Sequence, residues 1–352
     1  DQAIKEYERY AALFPGEPNP LDSIAELFMR QGKLDESAAK YREVLALKPD
    51  FYLTCGALAY VYALKENYPE ANRWLEEFIS RAPTVSAKYE ASALKAFFDY
   101  FQGRWSASLA ALTDIKKAAE KDRIEFAAMS VNWISGYIRL DRGEFDLAEQ
   151  AFQAFADYTE RIAAASKPWP AVVRGLLLAA VDFGRERTRE AQRRIDEVRT
   201  LLPDLDPDER MSRAMDVELG SAEIALAENS AEAAIAIAEK IVFTDIVSTR
   251  PMEIITYNVP FLKDVLARAY WKKGDLDKAA AEYRRLMTID PTNQVRTLIH
   301  PLYHYRLGRV LEAQGSRPEA AAEYRKFIDY WKDADSGQPE VEDARKRLAA
   351  LK

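Results

Sequence analysis

One spacing pattern constrains this chain more than any other feature. Five glycines stand at the same point of five similar segments: Gly32, Gly103, Gly143, Gly274 and Gly315. The residue five positions later is always small, the residue nine positions later is always large, and the residue seven positions earlier is small again. The pattern predicts two helices packed antiparallel across a short turn, because small residues let the backbones approach and a large residue fills the adjacent groove. Glycine between them suits the left-handed conformation that ends a helix.

These spacings resemble the tetratricopeptide repeat, a helix pair of about 34 residues. The clearest copies are residues 21–50, 55–83, 262–291 and 303–332, and residues 132–155 follow the pattern nearly as well. Several positions agree at once in each copy. The resemblance implies an all-α fold, a right-handed superhelical solenoid of about eight antiparallel helix pairs with a C-terminal capping helix.

We predict a single solenoid domain over residues 1–352. The chain begins inside a helical pattern, so we expect its first helix to belong to a truncated repeat. The predicted segments are an orphan helix at 1–14, N-terminal repeats at 18–243, a long irregular loop at 244–259, two C-terminal repeats at 260–335 and a capping helix at 339–352. The apolar residues of the loop indicate that it packs on the array's own concave face.

The C-terminal segment carries a second resemblance. Residues 305–335 and 339–351 are similar to the ends of bacterial repeat arrays, some of which are fused to Ser/Thr protein kinases or to transcriptional regulators. This similarity implies a signalling context.

Composition narrows the classes of partner. The net charge is −7 and the pI is about 5.3. This acidic balance disfavours nucleic acid and favours partners that carry positive charge. Cys55 is the single cysteine, which rules out a disulfide within the chain. We expect a cytoplasmic location before a periplasmic one, and no apolar run reaches bilayer length.

The two histidines, His300 and His304, stand one helical turn apart and raise the question of a metal site. A zinc site needs at least three protein ligands, and the further candidates are the carboxylates Glu312 and Asp290. The repeat register favours packing or capping, because His304 falls at a bulky helix–helix contact position and His300 precedes Pro301. We therefore predict no metal and no cofactor.

The tripeptide Asp182–Phe183–Gly184 matches a kinase metal-binding motif, but no other kinase motif accompanies it. We interpret it as a helix end where Phe183 packs and Gly184 caps.

The resemblance also implies a binding surface. In the tetratricopeptide-repeat family, partner peptides lie along the concave face formed by the first helix of each pair. Aromatic and Arg residues at inward positions are typical anchors. The candidate partner-binding residues are Trp133, Tyr137, Arg268, Trp271, Tyr305 and Arg309. The alternative is that they fill contacts with neighbouring helices. The Lys and Asn with which some family members clamp a C-terminal carboxylate are absent from these positions.

We therefore predict a non-enzymatic protein–protein interaction scaffold that binds a partner peptide or protein in its concave groove. The alternative is a regulatory domain of a larger bacterial signalling protein that senses a ligand or signal peptide. A solitary pocket of Trp and Arg would favour that alternative, whereas a long open groove would favour the scaffold. A third hypothesis is self-association through the terminal repeats.

Overall fold

The computed structural model describes residues 2–163, 168–241, 243, 249–289 and 297–351. Within these ranges the chain forms nineteen α-helices, one 3-10 turn at Leu202–Asp204 and no β-strand. The helices are α1 (Gln2–Leu13), α2 (Asn19–Arg30), α3 (Leu34–Leu47), α4 (Leu53–Leu64), α5 (Tyr68–Arg81), α6 (Val85–Phe101), α7 (Trp105–Lys121), α8 (Glu125–Asp141), α9 (Phe145–Ile162), α10 (Pro168–Gly184), α11 (Thr188–Leu201), α12 (Pro207–Ala227), α13 (Ala231–Ala238), α14 (Pro251–Asn258), α15 (Val265–Lys273), α16 (Leu276–Leu286), α17 (Pro301–Ala313), α18 (Arg317–Tyr330) and α19 (Pro339–Ala350). The all-α prediction is confirmed.

The described residues fall into two compact units. The first unit takes its residues from Asp1–Phe101, Asp245–Asn258 and Met287–Ile299, and the second from Gln102–Thr244, Val259–Leu286 and His300–Lys352. The chain therefore returns to the first unit twice. The repeat spacing could not predict this division. It shows which helices pair with their neighbours along the chain, but not that later segments pack back into the first unit.

The first unit contains the antiparallel pairs α2/α3 and α4/α5, and α5 packs on α6. Helix α14 packs on α6 as well. Its Ile254 and Ile255 are fully buried, and the side-chain amide of Asn258 donates to the hydroxyl of Tyr60 at 3.2 Å. The prediction of one irregular loop over 244–259 is thus wrong for residues 251–258. An eight-residue helix is too short to show a clear period, whereas its apolar content did indicate packing.

The second unit contains the pairs α8/α9, α10/α11, α12/α13, α15/α16 and α17/α18, with α7 packed on α8 and α19 on α18. Within the described residues, seven pairs therefore lie inside one unit or the other, close to the eight predicted. The weakest predicted copy, 86–121, supplies α6 and α7, which belong to different units. Helix α19 covers the segment predicted as the capping helix.

The turns between paired helices confirm the predicted role of glycine. All five turn glycines have positive φ, between 71° and 85°. At Gly143, the amide nitrogens of Gly143 and Glu144 donate to the carbonyl oxygens of Leu140 and Arg139, at 3.0 and 2.9 Å. These two bonds form a Schellman motif, which satisfies the last carbonyl groups of the helix.

Turns without glycine have the same geometry. Glu66, Arg123, Glu186 and Asn229 take φ values from 57° to 63° at the equivalent position. Glu186, and not Gly184 as the sequence predicted, therefore caps α10. Gly184 is the last helical residue of α10, and a Cβ there would lie 2.6 Å from the ring of Phe145. Its role is close packing between helices.

The two ends of the second unit meet. The carboxylate of Asp335, between α18 and α19, accepts from the backbone nitrogen of Ser106 at 2.8 Å and from its hydroxyl at 2.7 Å. The side-chain amide of Gln338 donates to the carbonyl oxygen of Gly103 at 2.8 Å, and the rings of Trp105 and Trp331 pack edge to face. Residues more than two hundred positions apart thus close this unit on itself. No helix among the described residues is long and apolar enough to cross a membrane.

Candidate functional site

The six candidate residues lie on three helices of the second unit. Trp133 and Tyr137 are on α8, Arg268 and Trp271 on α15, and Tyr305 and Arg309 on α17. Each helix is the first of its pair, as the repeat register predicted. The structure separates the two residues of α8 from the four of α15 and α17, because the two groups have different contacts.

Trp133 and Tyr137 pack on the core of their own unit. Their ring centroids are 4.9 Å apart, and the ring of Tyr137 lies 5.0 Å from that of Phe152. Phe261, which precedes α15, packs against Tyr137 at 5.9 Å. Burial raises the pKa of the Tyr137 hydroxyl well above its ordinary value. These contacts favour the alternative that α8 uses both side chains for packing.

The four remaining residues surround one cavity or support its wall. The cavity has a volume of about 520 Å³. Its basic residues are Arg268, Lys272, Arg306 and Arg309, and its other walls are Leu226, Trp271, Tyr283 and Val310. Three of the six predicted residues therefore line it. Sequence reasoning missed Lys272 and Arg306, although Arg306 lies one helical turn before Arg309 on the same helix.

Arg309 makes cation–π contacts with two aromatic rings. Its guanidinium lies 5.5 Å from the ring centroid of Trp271 and 5.8 Å from that of Tyr305. Tyr305 is buried, and its hydroxyl donates to the carboxylate of Asp343 at 2.8 Å. Cation–π contacts of this kind fix the plane of the guanidinium. Tyr305 thus supports Arg309 from behind the cavity wall.

An ion network around the buried carboxylate of Asp264 contributes two further residues to the cavity lining, Arg268 and Arg306. Arg268 donates to both carboxylate oxygens of Glu223, at 3.0 and 2.6 Å, and to Asp264 at 3.0 Å. Arg306 also pairs with Asp264, which is only 3% exposed. Burial alone would raise the pKa of Asp264, but the charges of Arg306 and Arg268 and their hydrogen bonds outweigh it and hold this pKa well below its ordinary value. Arg268 and Arg306 are therefore anchored by carboxylates of the chain itself.

Lys272 and Arg309 differ from these two arginines. The ammonium of Lys272 donates to the carbonyl oxygen of Leu226, near the end of α12, at 2.8 Å. Among the described residues, no carboxylate lies within ion-pair distance of Lys272 or Arg309. The cavity is thus positively charged although the whole chain is acidic.

The histidines take part in packing and in an ion pair. Nδ1 of His304 lies 2.6 Å from a carboxylate oxygen of Glu323, and His300 is buried beside Tyr303. Burial, reinforced by the charge of Arg306 and opposed by that of Asp264, lowers the pKa of His300 to about 3. The structure shows no group of three or more potential metal ligands in the ranges it describes, and Asp290 lies outside those ranges.

Two other reactive groups are also engaged. Asp182 is buried and accepts from Nε of Arg194 at 2.6 Å, which neutralises the carboxylate of the kinase-like tripeptide. Cys55 is fully buried, and burial raises the pKa of its thiol to about 11. A thiol that remains protonated is a poor nucleophile.

The fold and turn geometry define an all-α helical-repeat protein. Comparison with family models identifies tetratricopeptide repeats at residues 23–86 and 264–293. These two matches agree with the repeat copies that the spacings of the turn glycines indicated in the same segments. No curated protein matches the sequence.

Several solved structures are similar to the chain. A tetratricopeptide repeat protein from Parabacteroides merdae is 15% identical, with a TM-score of 0.42, over 85% of this chain and 98% of that one. The Cut9–Hcn1 hetero-tetramer of APC/C is 14% identical, with a TM-score of 0.34, over 99% and 85% of the two chains. Yeast Tom70 is 11% identical, with a TM-score of 0.30, over 99% and 91%.

Proposed function

We propose that this chain is a non-enzymatic interaction module that binds a segment of a partner protein at the surface formed by α15 and α17. The observation that carries the proposal is the pair of cation–π contacts that Arg309 makes with Trp271 and Tyr305 beside the cavity. Aromatic and Arg side chains held in a fixed orientation dominate the energy of many protein interfaces. Their rigidity also lowers the entropy that binding costs.

The charge of this surface changes the kind of partner we propose. The net charge of −7 favoured a partner with positive charge. The cavity has four basic residues, of which two have no carboxylate partner among the described residues. Local complementarity governs an interface more than net charge does. A partner segment that docks here therefore carries acidic groups beside apolar ones.

Site-specific photo-crosslinking tests this proposal. One variant carries p-benzoylphenylalanine in place of Trp271, and a matched variant carries it in place of Arg325, which is exposed on α18. We expect the probe at position 271 to crosslink a partner protein that the probe at position 325 does not. Identical crosslinking from both positions, or none from position 271 in cells that express the natural partner, would contradict the assignment.

The cavity also favours a second function. A pocket lined by Trp and Arg is the feature that distinguishes a ligand-sensing domain from an open scaffold, and the second unit contains such a pocket. Its volume of about 520 Å³ lies within the range of small-molecule sites. We therefore propose ligand sensing as the second candidate function.

A further inference from the structure

We propose that the cavity binds a small amphipathic organic acid whose carboxylate pairs with Arg309 while its apolar body lies against Trp271 and Leu226. This inference rests on the second candidate function, ligand sensing, and names the chemical class of its ligand. It is argued from the charge, the stacking and the apolar surface of the cavity.

The charge of the ligand follows from the partners of the four basic residues. Glu223 and Asp264 already neutralise Arg268 and Arg306. Lys272 is held by the carbonyl oxygen of Leu226, where a cation also stabilises the negative end of the α12 dipole. Among the described residues that line the cavity, Arg309 is the cation whose side-chain contacts are two aromatic rings rather than an oxygen atom. The negative charge of the ligand therefore pairs with Arg309.

The groups near Arg309 do not satisfy it. The charge of Arg309 acts on Asp343, but the Asp343 carboxylate accepts from Tyr305 at 2.8 Å and from Arg347 at 2.5 Å. A guanidinium has five N–H donors in a planar fork that matches a carboxylate. The two cation–π contacts restrict the orientation of the guanidinium before the ligand arrives. The arginine is thus preorganised to receive a carboxylate in the cavity.

The apolar part of the ligand follows from the remaining walls. Trp271 is half-buried and Leu226 closes the cavity from α12, whereas Val310 is fully buried and has no surface left to remove from water. Such walls stabilise a hydrocarbon or aromatic body, at roughly 25 cal/mol for each Å² of apolar surface removed from water. An inorganic anion would leave this apolar surface exposed to water. An organic acid of modest size contacts the charge and the apolar walls together.

Calorimetric titration of the full chain tests the proposal with three probe acids: 3-phenylpropanoate, indole-3-propanoate and octanoate. The neutral control is 3-phenylpropanamide, which has nearly the same shape without the charge. We expect at least one acid to bind one site with a Kd of about 1 mM or below, and the amide to bind about tenfold more weakly or not at all.

Three variants assign the binding to Arg309. Arg309→Gln should weaken the acid about tenfold or more, and Arg309→Lys should restore part of the affinity, since it keeps the charge. Arg325→Gln is the matched control on the exposed surface of α18 and should bind like the parent chain. Circular dichroism and the melting temperature verify that each variant is folded.

Four outcomes overturn the proposal: equal binding of acid and amide, no binding of any acid at about 10 mM, unchanged binding by folded Arg309→Gln, or tighter binding of inorganic phosphate than of every acid.

An acetylated Glu-Phe-Glu peptide amide distinguishes the source of the carboxylate. If this peptide binds more than about tenfold tighter than every free acid, the ligand is a protein segment and the small-acid assignment fails.

Small-angle X-ray scattering with saturating acid separates this inference from the function on which it rests. A change in the scattering profile supports sensing, because a sensor must report its ligand through a change of shape. If the acid binds through Arg309 and the scattering profile does not change, the result contradicts the sensing function but supports the proposed binding site.

Discussion

A Cβ atom built on Gly136 would lie 2.2 Å from Cε1 of the Phe152 ring. Gly136 is on α8 and Phe152 on α9, so the close approach fixes how these paired helices cross. The same relationship joins Gly308 and Tyr324 in the pair α17/α18, at 2.7 Å. The pairing of a small residue with a large one in the repeat pattern is therefore a steric requirement at both crossings.

Gly136→Ala should destabilise the protein by about 1–3 kcal/mol, the usual cost of overpacking a core. In an unobstructed helix the same change would stabilise by up to about 1 kcal/mol, because alanine has the higher helix propensity. The sign of the effect thus reports the contact with Phe152. Urea denaturation measures it, with Ser135→Ala on the same helix as a control that should change stability by less than about 0.5 kcal/mol. A stabilised Gly136→Ala variant would contradict the crossing geometry.

Glu186→Gly should stabilise the protein by about 0.5–1 kcal/mol, because Glu186 has a φ of 57° in a turn where glycine is the preferred residue. Its side chain is exposed, so no packing is lost. The reciprocal change, Gly143→Ala, should destabilise by about 1 kcal/mol at the equivalent position. Thermal denaturation of both variants tests the pair, and a common sign for the two changes would show that the turns are not equivalent.

The paired helices could be predicted from sequence because their pattern is local. Small, large and turn residues recur at fixed spacings, and the structure places Gly136 against Phe152 as the spacing implied. The end of α10 was predicted two residues too early, at Gly184 instead of Glu186. Glycine is typical of a helix cap, but Gly184 allows close packing against Phe145. Helix α14 was missed because an eight-residue segment carries too little periodicity.

The candidate site could be predicted only in part. The register placed Trp271 and Arg309 on inward positions, and both line the cavity. It also selected Tyr137, which packs against Phe152 and Phe261 instead. The repeat register predicts the direction in which a side chain points, but it does not predict which residues pack over that side chain. The contact between Tyr137 and Phe261 joins residues far apart in the chain, beyond the reach of a repeat pattern.

Asp264→Asn should destabilise the protein by about 1–3 kcal/mol, because it removes the buried carboxylate that Arg268 and Arg306 share, although both arginine side chains are about one third exposed. The low pKa of Asp264 in the folded state adds a pH signature. Its contribution is complete above about pH 4, the pKa of an unfolded aspartate, and is lost as the pH falls toward the lower folded value. The variant should therefore lose less stability than the parent chain between about pH 4 and pH 2. Guanidinium denaturation measures both effects. The control is Asp277→Asn, at an exposed position of α16. Equal losses of stability from the two substitutions would contradict the ion network.

His300 should make the protein less stable as the pH falls from about 6.5 toward 3. Its pKa is about 3 in the folded state, so only the unfolded chain takes up a proton in this window. Stability is then complete above about pH 6.5 and decreases by up to about 1.4 kcal/mol for each pH unit below it. His300→Gln removes this titration and should flatten the dependence by that amount. Denaturation midpoints between pH 7 and pH 4.5 measure the two slopes, and parallel curves would show that His300 is protonated in the folded protein.

Asp335→Ala should loosen the closure of the second unit at α7. The Asp335 carboxylate accepts from both the backbone nitrogen and the hydroxyl of Ser106, in the first turn of α7, where backbone donors lack partners within the helix. Loss of such a cap costs about 1 kcal/mol. We expect amide hydrogen exchange in the first turn of α7 to accelerate several-fold, while exchange in α15 stays constant. Asp333→Ala, at an exposed position of the same segment, should leave both unchanged. If the two substitutions accelerate exchange equally, the contact between Asp335 and Ser106 does not hold the ends of this unit together.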